Sequence, residues 1–261
     1  MYTQMRFYLI LPKGRTGVTC MQYFKILLRP KKQIVSVEYC ERLIWESFNI
    51  LRKNGQVYET FQVVRDEGAY AVYVIMPSED ALDLAFCTEE TVSAVKDLAA
   101  IFLLEVVALG EVISCESSCG CEASSWYMLY TDLGTEESPL VCGDCGKPVP
   151  LYKLPAILDK EGQSNFINWQ DQFKALQRLD VYNYAHEMTE DAIYNPQSRI
   201  NKMGRALCHA LEKAKSIPVF YHLEQKRSAG AACPVCGREW SRTANTDIST
   251  NLCTFCRIAV G

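Results

Sequence analysis

Cys233-Pro234-Val235-Cys236-Gly237 and Cys253-Thr254-Phe255-Cys256-Arg257 stand near the end of a chain of 261 residues, with sixteen residues between the inner cysteines. Two Cys-x-x-Cys pairs at this separation can bring four thiolates to about 2.3 Å from one metal, the closed tetrahedral arrangement of a zinc ribbon. Gly237 suits the first pair, because a residue without Cβ enters a left-handed turn at no steric cost. The competing reading is two unrelated redox pairs or coincidence. Four thiolates leave no open coordination position, so the expected zinc folds the chain rather than catalyses.

Upstream, Val141-Cys142-Gly143-Asp144-Cys145-Gly146 repeats the pair with glycines in its turn. Cys119 and Cys121 offer an opposing pair, with Cys115 as a substitute ligand, and the spacing predicts a second structural zinc on Cys119, Cys121, Cys142 and Cys145. A redox pair at Cys142 and Cys145 is the alternative, but the flanks lack the strand–turn–helix setting that such a motif requires. Thirteen cysteines is an odd number, and they cluster in pairs. That pattern favours metal ligation in a reducing cytoplasm over a disulfide framework. Cys20, Cys40, Cys87 and Cys208 lie alone in apolar surroundings and are expected in the core.

Working back to the start, Met5–Leu11 and Thr19–Leu28 read as strands joined by a turn at residues 13–17. Tyr39–Lys53 reads as a helix with Leu43, Ile44, Phe48 and Leu51 on one face, stopped by Asn54-Gly55. Val57–Arg65 and Ala69–Met76 read as strands around Asp66-Glu67-Gly68; the second is apolar on both faces and so belongs inside a sheet. Thr91–Phe102 reads as a helix, and Leu103–Ile113 contains a further strand. Trp126–Thr131 is strand-like. Asn165–Arg178 and Ser198–Lys215 read as helices, the latter opened by Asn195-Pro196 and closed by Pro218, ahead of a short strand at Val219–Leu223. The expectation is an α+β chain whose N-terminal, mostly antiparallel sheet carries helices on one face. A zinc-stabilised β/helical region and the terminal ribbon follow, with boundaries 1–113, 114–225 and 226–261.

Hydrophobic residues at 49% and charged residues at 22% describe a globular protein, and no apolar run is long enough to cross a membrane. The apolar Phe7–Leu11 is too short for a signal peptide and has no cleavage site after it. The net charge of −4 conceals an asymmetry. Residues 1–37 hold seven Lys/Arg and no acid, and residues 196–261 hold ten Lys/Arg against four acids, which leaves −17 for residues 38–195. Such blocks steer partners or neutralise one another within the fold.

Catalytic constellations are not visible. His186, His209 and His222 stand alone, with no His-Glu-x-x-His array, nucleophile elbow or dinucleotide fingerprint. The expected function is therefore non-enzymatic binding, with no small-molecule substrate and no membrane. Arg238, Trp240, Arg242 and Arg257 surround the terminal ribbon as candidate contacts to phosphates and bases. Against a dedicated nucleic-acid protein stands the pI of about 5.5. Trp240 packing on the ribbon is the plainer reading of that residue. A protein partner docking on rigid ribbons is the rival to nucleic acid.

Cys142-Gly143-Asp144, Val149–Pro155, Asn168-Trp169-Gln170, Ser216–Tyr221, Cys233–Trp240 and Cys253–Arg257 occur in an order similar to that of an uncharacterised bacterial family. It is described as zinc-ribbon-containing proteins with a nucleic-acid-binding label. The resemblance is good over residues 125–261 and looser before them. It implies a cytoplasmic bacterial protein with zinc on Cys233, Cys236, Cys253 and Cys256. Cys119 and Cys121 depart from the family's pattern, so the second zinc rests on spacing. Proteins of this kind also occur beside polymorphic-toxin genes. That suggests an immunity protein whose acidic centre captures a basic toxin domain.

Overall fold

A computed structural model describes residues 8–10, 21–32, 36–58, 61–113, 115–154, 162–226, 230–242 and 250–261. The chain divides into two compact units, one ending at Ser118 and the other starting at Cys119.

The first unit is built on local signals that agree with its packing. Ser36 caps helix α1 (Val37–Lys53) by accepting from the Tyr39 amide at 3.2 Å. Glu38 in the first turn and Arg52 and Lys53 in the last complement the helix dipole. Cys40, Ile44, Phe48 and Leu51 recur on one face and are buried. Thr88 caps α2 (Glu89–Ile101) in the same way, from the Thr91 amide. The strands are β1 (Tyr8–Ile10), β2 (Gln22–Pro30), β3 (Gln62–Asp66), β4 (Ala69–Met76) and β5 (Phe102–Glu111). Between β3 and β4, Glu67 and Gly68 both take positive φ (45° and 81°), the two-residue hairpin geometry that matches strand twist.

The sheet order is β1-β5-β2-β4-β3, antiparallel except that β1 runs parallel to β5. Strands β2 to β5 with α1 and α2 form the β-α-β-β-α-β ferredoxin-like arrangement. The α+β expectation is met, with two differences. First, β1 pairs with β5 rather than with the strand that follows it; the turn expected at residues 13–17 lies outside the described residues. Second, Val57 and Tyr58 are buried ahead of β3 instead of extending it, because Gln56 is anchored there by its side-chain donation to the Ala81 carbonyl at 2.7 Å. Cys40 is buried as expected, whereas Cys87 is half-buried and accepts a hydrogen bond from Gln56; Cys20 lies outside the described residues.

The second unit contains β6 (Tyr127–Leu129), β7 (Leu140–Cys142), α3 (Gly162–Val181), α4 (His186–Tyr194), α5 (Arg199–Lys215), β8 (Val219–His222), β9 (Ser241–Arg242), β10 (Asn251–Cys253) and β11 (Ile258–Val260). Its six strands follow the order β7-β6-β8-β11-β10-β9. The inner pairs β6–β8 and β8–β11 are parallel and the outer ones antiparallel. Helix α5 lies close against β8: a Cβ on Gly204 would come within 2.1 Å of the Tyr221 ring, so this crossing admits only glycine. Trp169 packs against Phe173 and edge-on to Tyr221, and its indole donates to the Ile200 carbonyl at 3.2 Å. Buried Asn201 donates to the carbonyls of Ile193 and Asn195 and accepts from the Tyr221 hydroxyl, which fastens α4 to α5. Cys208 is buried here as expected. Helix α4, absent from the sequence reading, fills the interval between α3 and α5.

The reading of residues 226–261 as a separate ribbon gives way at the sheet. Strand β11 runs beside β8, and the terminal cysteines share one core with Trp169, Leu211 and Tyr221. The physical reason is the shared sheet, since β10 and β11 continue it through β8 and the terminal cysteines pack into the same core.

Candidate metal centres

Each cysteine cluster is shaped by backbone turns. In the middle cluster, the Cys142 amide donates to the Lys147 carbonyl at 2.9 Å and the Gly146 amide to the Cys142 carbonyl at 2.9 Å, with Gly146 at φ 73°. The turn is sealed by Trp126. Its carbonyl accepts from the Gly143 amide, and its ring lies so close that a Cβ on Gly143 would sit 2.0 Å away. Cys119 is delivered to the same place by its amide donating to the Pro148 carbonyl at 2.8 Å. Asp144 accepts from the Ser125 amide and hydroxyl, which ties the loop after Cys121 to the turn.

The terminal cluster uses two turns of the same form. The Cys233 amide donates to the Arg238 carbonyl and the Gly237 amide to the Cys233 carbonyl, each at 2.9 Å, with Gly237 at φ 70°. Arg257 takes the same left-handed position after Cys256, at φ 53°. A residue with a Cβ is strained there. The side chain is held on both sides, with Nε and Nη2 donating to the Glu212 carboxylate of α5 and Nη1 to the Thr254 carbonyl at 2.9 Å. The Arg257 carbonyl also accepts from the Tyr221 amide. Arg257 thus joins the metal turn to both α5 and β8.

In each cluster the four Sγ atoms lie within 4.8 Å of one another. The Cys119–Cys145 separation is 3.5 Å and the Cys236–Cys253 separation 3.6 Å. Four sulfurs at 2.3 Å from a central zinc stand about 3.8 Å apart, so both clusters have the dimensions of a tetrahedral thiolate site. The electrostatics agree. Burial pushes the Cys119, Cys233 and Cys256 thiols up. By contrast, the Arg238 amide directed at Cys236 pulls that thiol down to about 7. Burial also opposes ionisation of Cys142, but the Ser124 hydroxyl and the Cys145 and Asp144 amides outweigh it and hold its thiol low. Each cluster thus sets a thiol held low by hydrogen-bond donors, Cys142 or Cys236, beside thiols that burial pushes up, and a bound cation would favour the thiolate form of both kinds. Both four-cysteine groups could hold a metal ion.

The structure brings together all eight expected ligands and leaves Cys115 out. That residue packs in the first unit against the Met21, Tyr58 and Ile75 cluster, so its role as a substitute ligand is not supported. The expected contact residues part company. Arg257 is engaged by Glu212 and Thr254. Trp240 is half-buried against the core, and its indole donates to the Gly230 carbonyl at 2.7 Å, as the plainer reading held. The side chain of Arg242 lies outside the described residues. Arg238 is exposed, its guanidinium 3.7 Å from the centre of the Phe255 ring. Phe255 itself is 64% exposed at the tip of the second turn. The three histidines stand apart from both clusters: His186 faces Asp180 at 3.0 Å, His209 is exposed, and His222 packs edge-on to Tyr130. Among the described residues, no helix is long and apolar enough to cross a membrane.

Comparison with known proteins gives one match in each unit. Residues 24–108 match a domain of unknown function, DUF8589. Residues 121–224 match another, DUF2310, which takes in Cys121, Cys142 and Cys145 and stops short of the terminal cluster. Two proteins of Haemophilus influenzae, both described as uncharacterized, are similar in sequence. One is 26% identical over 238 residues, covering 85% of this chain and 91% of that protein. The other is 28% identical over 158 residues, covering 58% and 77%. Among solved structures, SnoaB, a cofactor-independent oxygenase from Streptomyces nogalater, is 11% identical and covers 36% of this chain and 94% of its own, with a TM-score of 0.30. A structural-genomics protein, YJCS, is 14% identical and covers 35% and 99%, with a TM-score of 0.29. The chain is therefore similar to uncharacterised bacterial proteins, and part of each compact unit matches a domain family of unknown function.

Proposed function

We propose that both clusters hold structural zinc and that the chain is a non-catalytic, cytoplasmic binding protein whose terminal turn contacts a macromolecule. The observation that carries the reading is the convergence of two sets of four cysteine sulfurs within 4.8 Å, with no ligand position left over. Zinc is redox-silent and suits four thiolates, and the free thiols suit a reducing compartment. The contact is Phe255 with Arg238, an exposed ring beside a cation, the pair that stacks on a base and meets its phosphate. With Arg257 and Trp240 occupied by the fold, single-stranded nucleic acid is the favoured form, since one ring requires an unstacked base. Metal analysis should return two zinc ions per chain; a coloured, iron-loaded protein would overturn the zinc assignment.

Titration of labelled single- and double-stranded oligonucleotides across a salt series tests the partner. Phe255→Ser should weaken single-strand binding about fivefold to a hundredfold, the range of one lost stacking contact. Absence of binding at low salt would end the nucleic-acid reading. The second reading, a protein partner such as a basic toxin domain, is favoured by the net −17 of residues 38–195.

A further inference from the structure

The corner between α3 and α4 exposes apolar side chains that the fold does not use. Residues 181–188 are exposed without interruption. Within them Tyr182 is 77% exposed, Tyr184 70%, Val181 69% and Met188 60%, with Leu179 exposed beside them. Single exposed apolar residues are ordinary, but five within ten residues make a patch of the kind that marks an interaction site.

The corner is also built to hold its shape. The amides of Tyr182, Asn183 and Tyr184 donate to the carbonyls of Arg178, Asp180 and Leu179 at 3.2, 2.8 and 2.9 Å. Asn183 and Ala185 both sit in the left-handed region, at φ 54° and 55°. Asparagine tolerates this; alanine is strained there by about 1–2 kcal/mol. The Asp180 carboxylate secures the strained turn, accepting from the Thr189 hydroxyl at 2.8 Å and facing His186 Nδ1 at 3.0 Å. Lys226 pairs with Glu190 one turn further along α4. Two tyrosines are therefore presented on a fixed backbone, which lowers the ordering cost of burying them against a partner.

Charge narrows the partner. Residues 179–191 contain Asp180, Glu187, Glu190 and Asp191 and no Lys or Arg. With Asp180 facing His186, Glu190 paired with Lys226 and Arg178 exposed at the edge, the rim rests on Glu187 and Asp191, both exposed beside the patch. Such a rim repels a phosphate backbone and attracts a cationic surface. We propose that this corner is a docking knob for a protein that offers an apolar pocket rimmed by Lys or Arg, with Tyr182 and Tyr184 as its anchors. It shares no residue with the terminal turn and depends on neither metal identity nor nucleic-acid binding.

The test uses the full, metal-loaded chain and a labelled amphipathic helical peptide of leucine and lysine. The same peptide with glutamate for lysine and a single-stranded oligonucleotide serve as controls. Fluorescence anisotropy should show binding of the lysine peptide, weakened about tenfold or more by Tyr182→Ser/Tyr184→Ser and comparably by Glu187→Lys. Deuterium exchange on the unsubstituted chain should show protection by the lysine peptide centred on residues 179–191, a readout that does not depend on the folding of any variant. The proposal is overturned by failure of the lysine peptide to bind, by equal binding to the double variant, or by protection of the corner by the glutamate peptide or the oligonucleotide.

Discussion

The two cysteine clusters do the same geometric job with different parts. The terminal one is made of two turns of the same form, and its cysteines are all buried or half-buried. The middle one has a single such turn, and its other half is a Cys-x-Cys segment whose Cys121 is exposed. One cluster closes the far end of the six-stranded sheet through β10 and β11, and the other caps β7 at the opposite end. The contrast teaches that a tetrahedral sulfur set can be reached with or without symmetric turns, while the protection of its ligands depends on which turns are used.

The largest expected difference is in folding. Cys253→Ser removes a ligand that lies in β10 and so loosens the sheet that runs through β11 to β8. Structural zinc contributes about 10–16 kcal/mol to such sites, against about 5–15 kcal/mol for a whole domain. The variant should therefore lose both metals and the second unit's cooperative melting transition. Cys121→Ser should lose one metal and keep the transition, as read by metal analysis and calorimetry. Equal loss in the two variants would break the comparison. In the unsubstituted protein, a chelator with a chromogenic zinc dye should draw one ion well before the other, and Cys121→Ser should abolish the fast phase.

The sheet between the clusters carries its own signature. Burial holds the His222 imidazole down to about 4, from an ordinary 6.5. Between those values the unfolded chain binds the proton and the folded chain does not, so stability falls as pH drops from 6.5 toward 4. The loss reaches about 3 kcal/mol at most. His222→Phe should flatten that part of the pH profile in urea unfolding; an unchanged slope would show that other titrating groups govern acid unfolding.

Smaller effects separate the turns. Gly143→Ala should cost about 1–3 kcal/mol by driving a Cβ into the Trp126 ring. Gly237→Ala meets open space and should cost only its left-handed strain, about 1–2 kcal/mol. Arg257→Ala should cost about 1–2 kcal/mol through loss of the Glu212 pair, whose two side chains are 36% and 26% exposed. Recovery in Arg257→Lys should be partial, because an ammonium cannot reproduce the two-pronged contact. Thermal melts with metal content measured in parallel rank all three.

The residues that chemistry demands at fixed local spacing were the legible ones. The Cys-x-x-Cys pairs and the helical runs of α1 and α5 all act within a few residues of themselves. Helix α4 was missed because Ala185, at its start, offers no capping side chain and its polar sequence buries little beyond Thr189 and Ile193. The side chain of Arg257 was read without its partner for a related reason. Arg257 looks like any basic residue until α5, forty-five positions earlier, brings Glu212 to its guanidinium.

By itself the sequence determined the eight cysteines of the two clusters, the α+β class and the charge asymmetry, since each depends on composition or short-range spacing. Tertiary structure alone decided that the ribbon belongs to the second unit's sheet, that Cys115 stands outside the middle cluster, and that Phe255 and Tyr182 stay exposed while Trp240 does not. Those outcomes depend on which distant segments meet, and on whether a side chain of given chemistry finds a partner when they do.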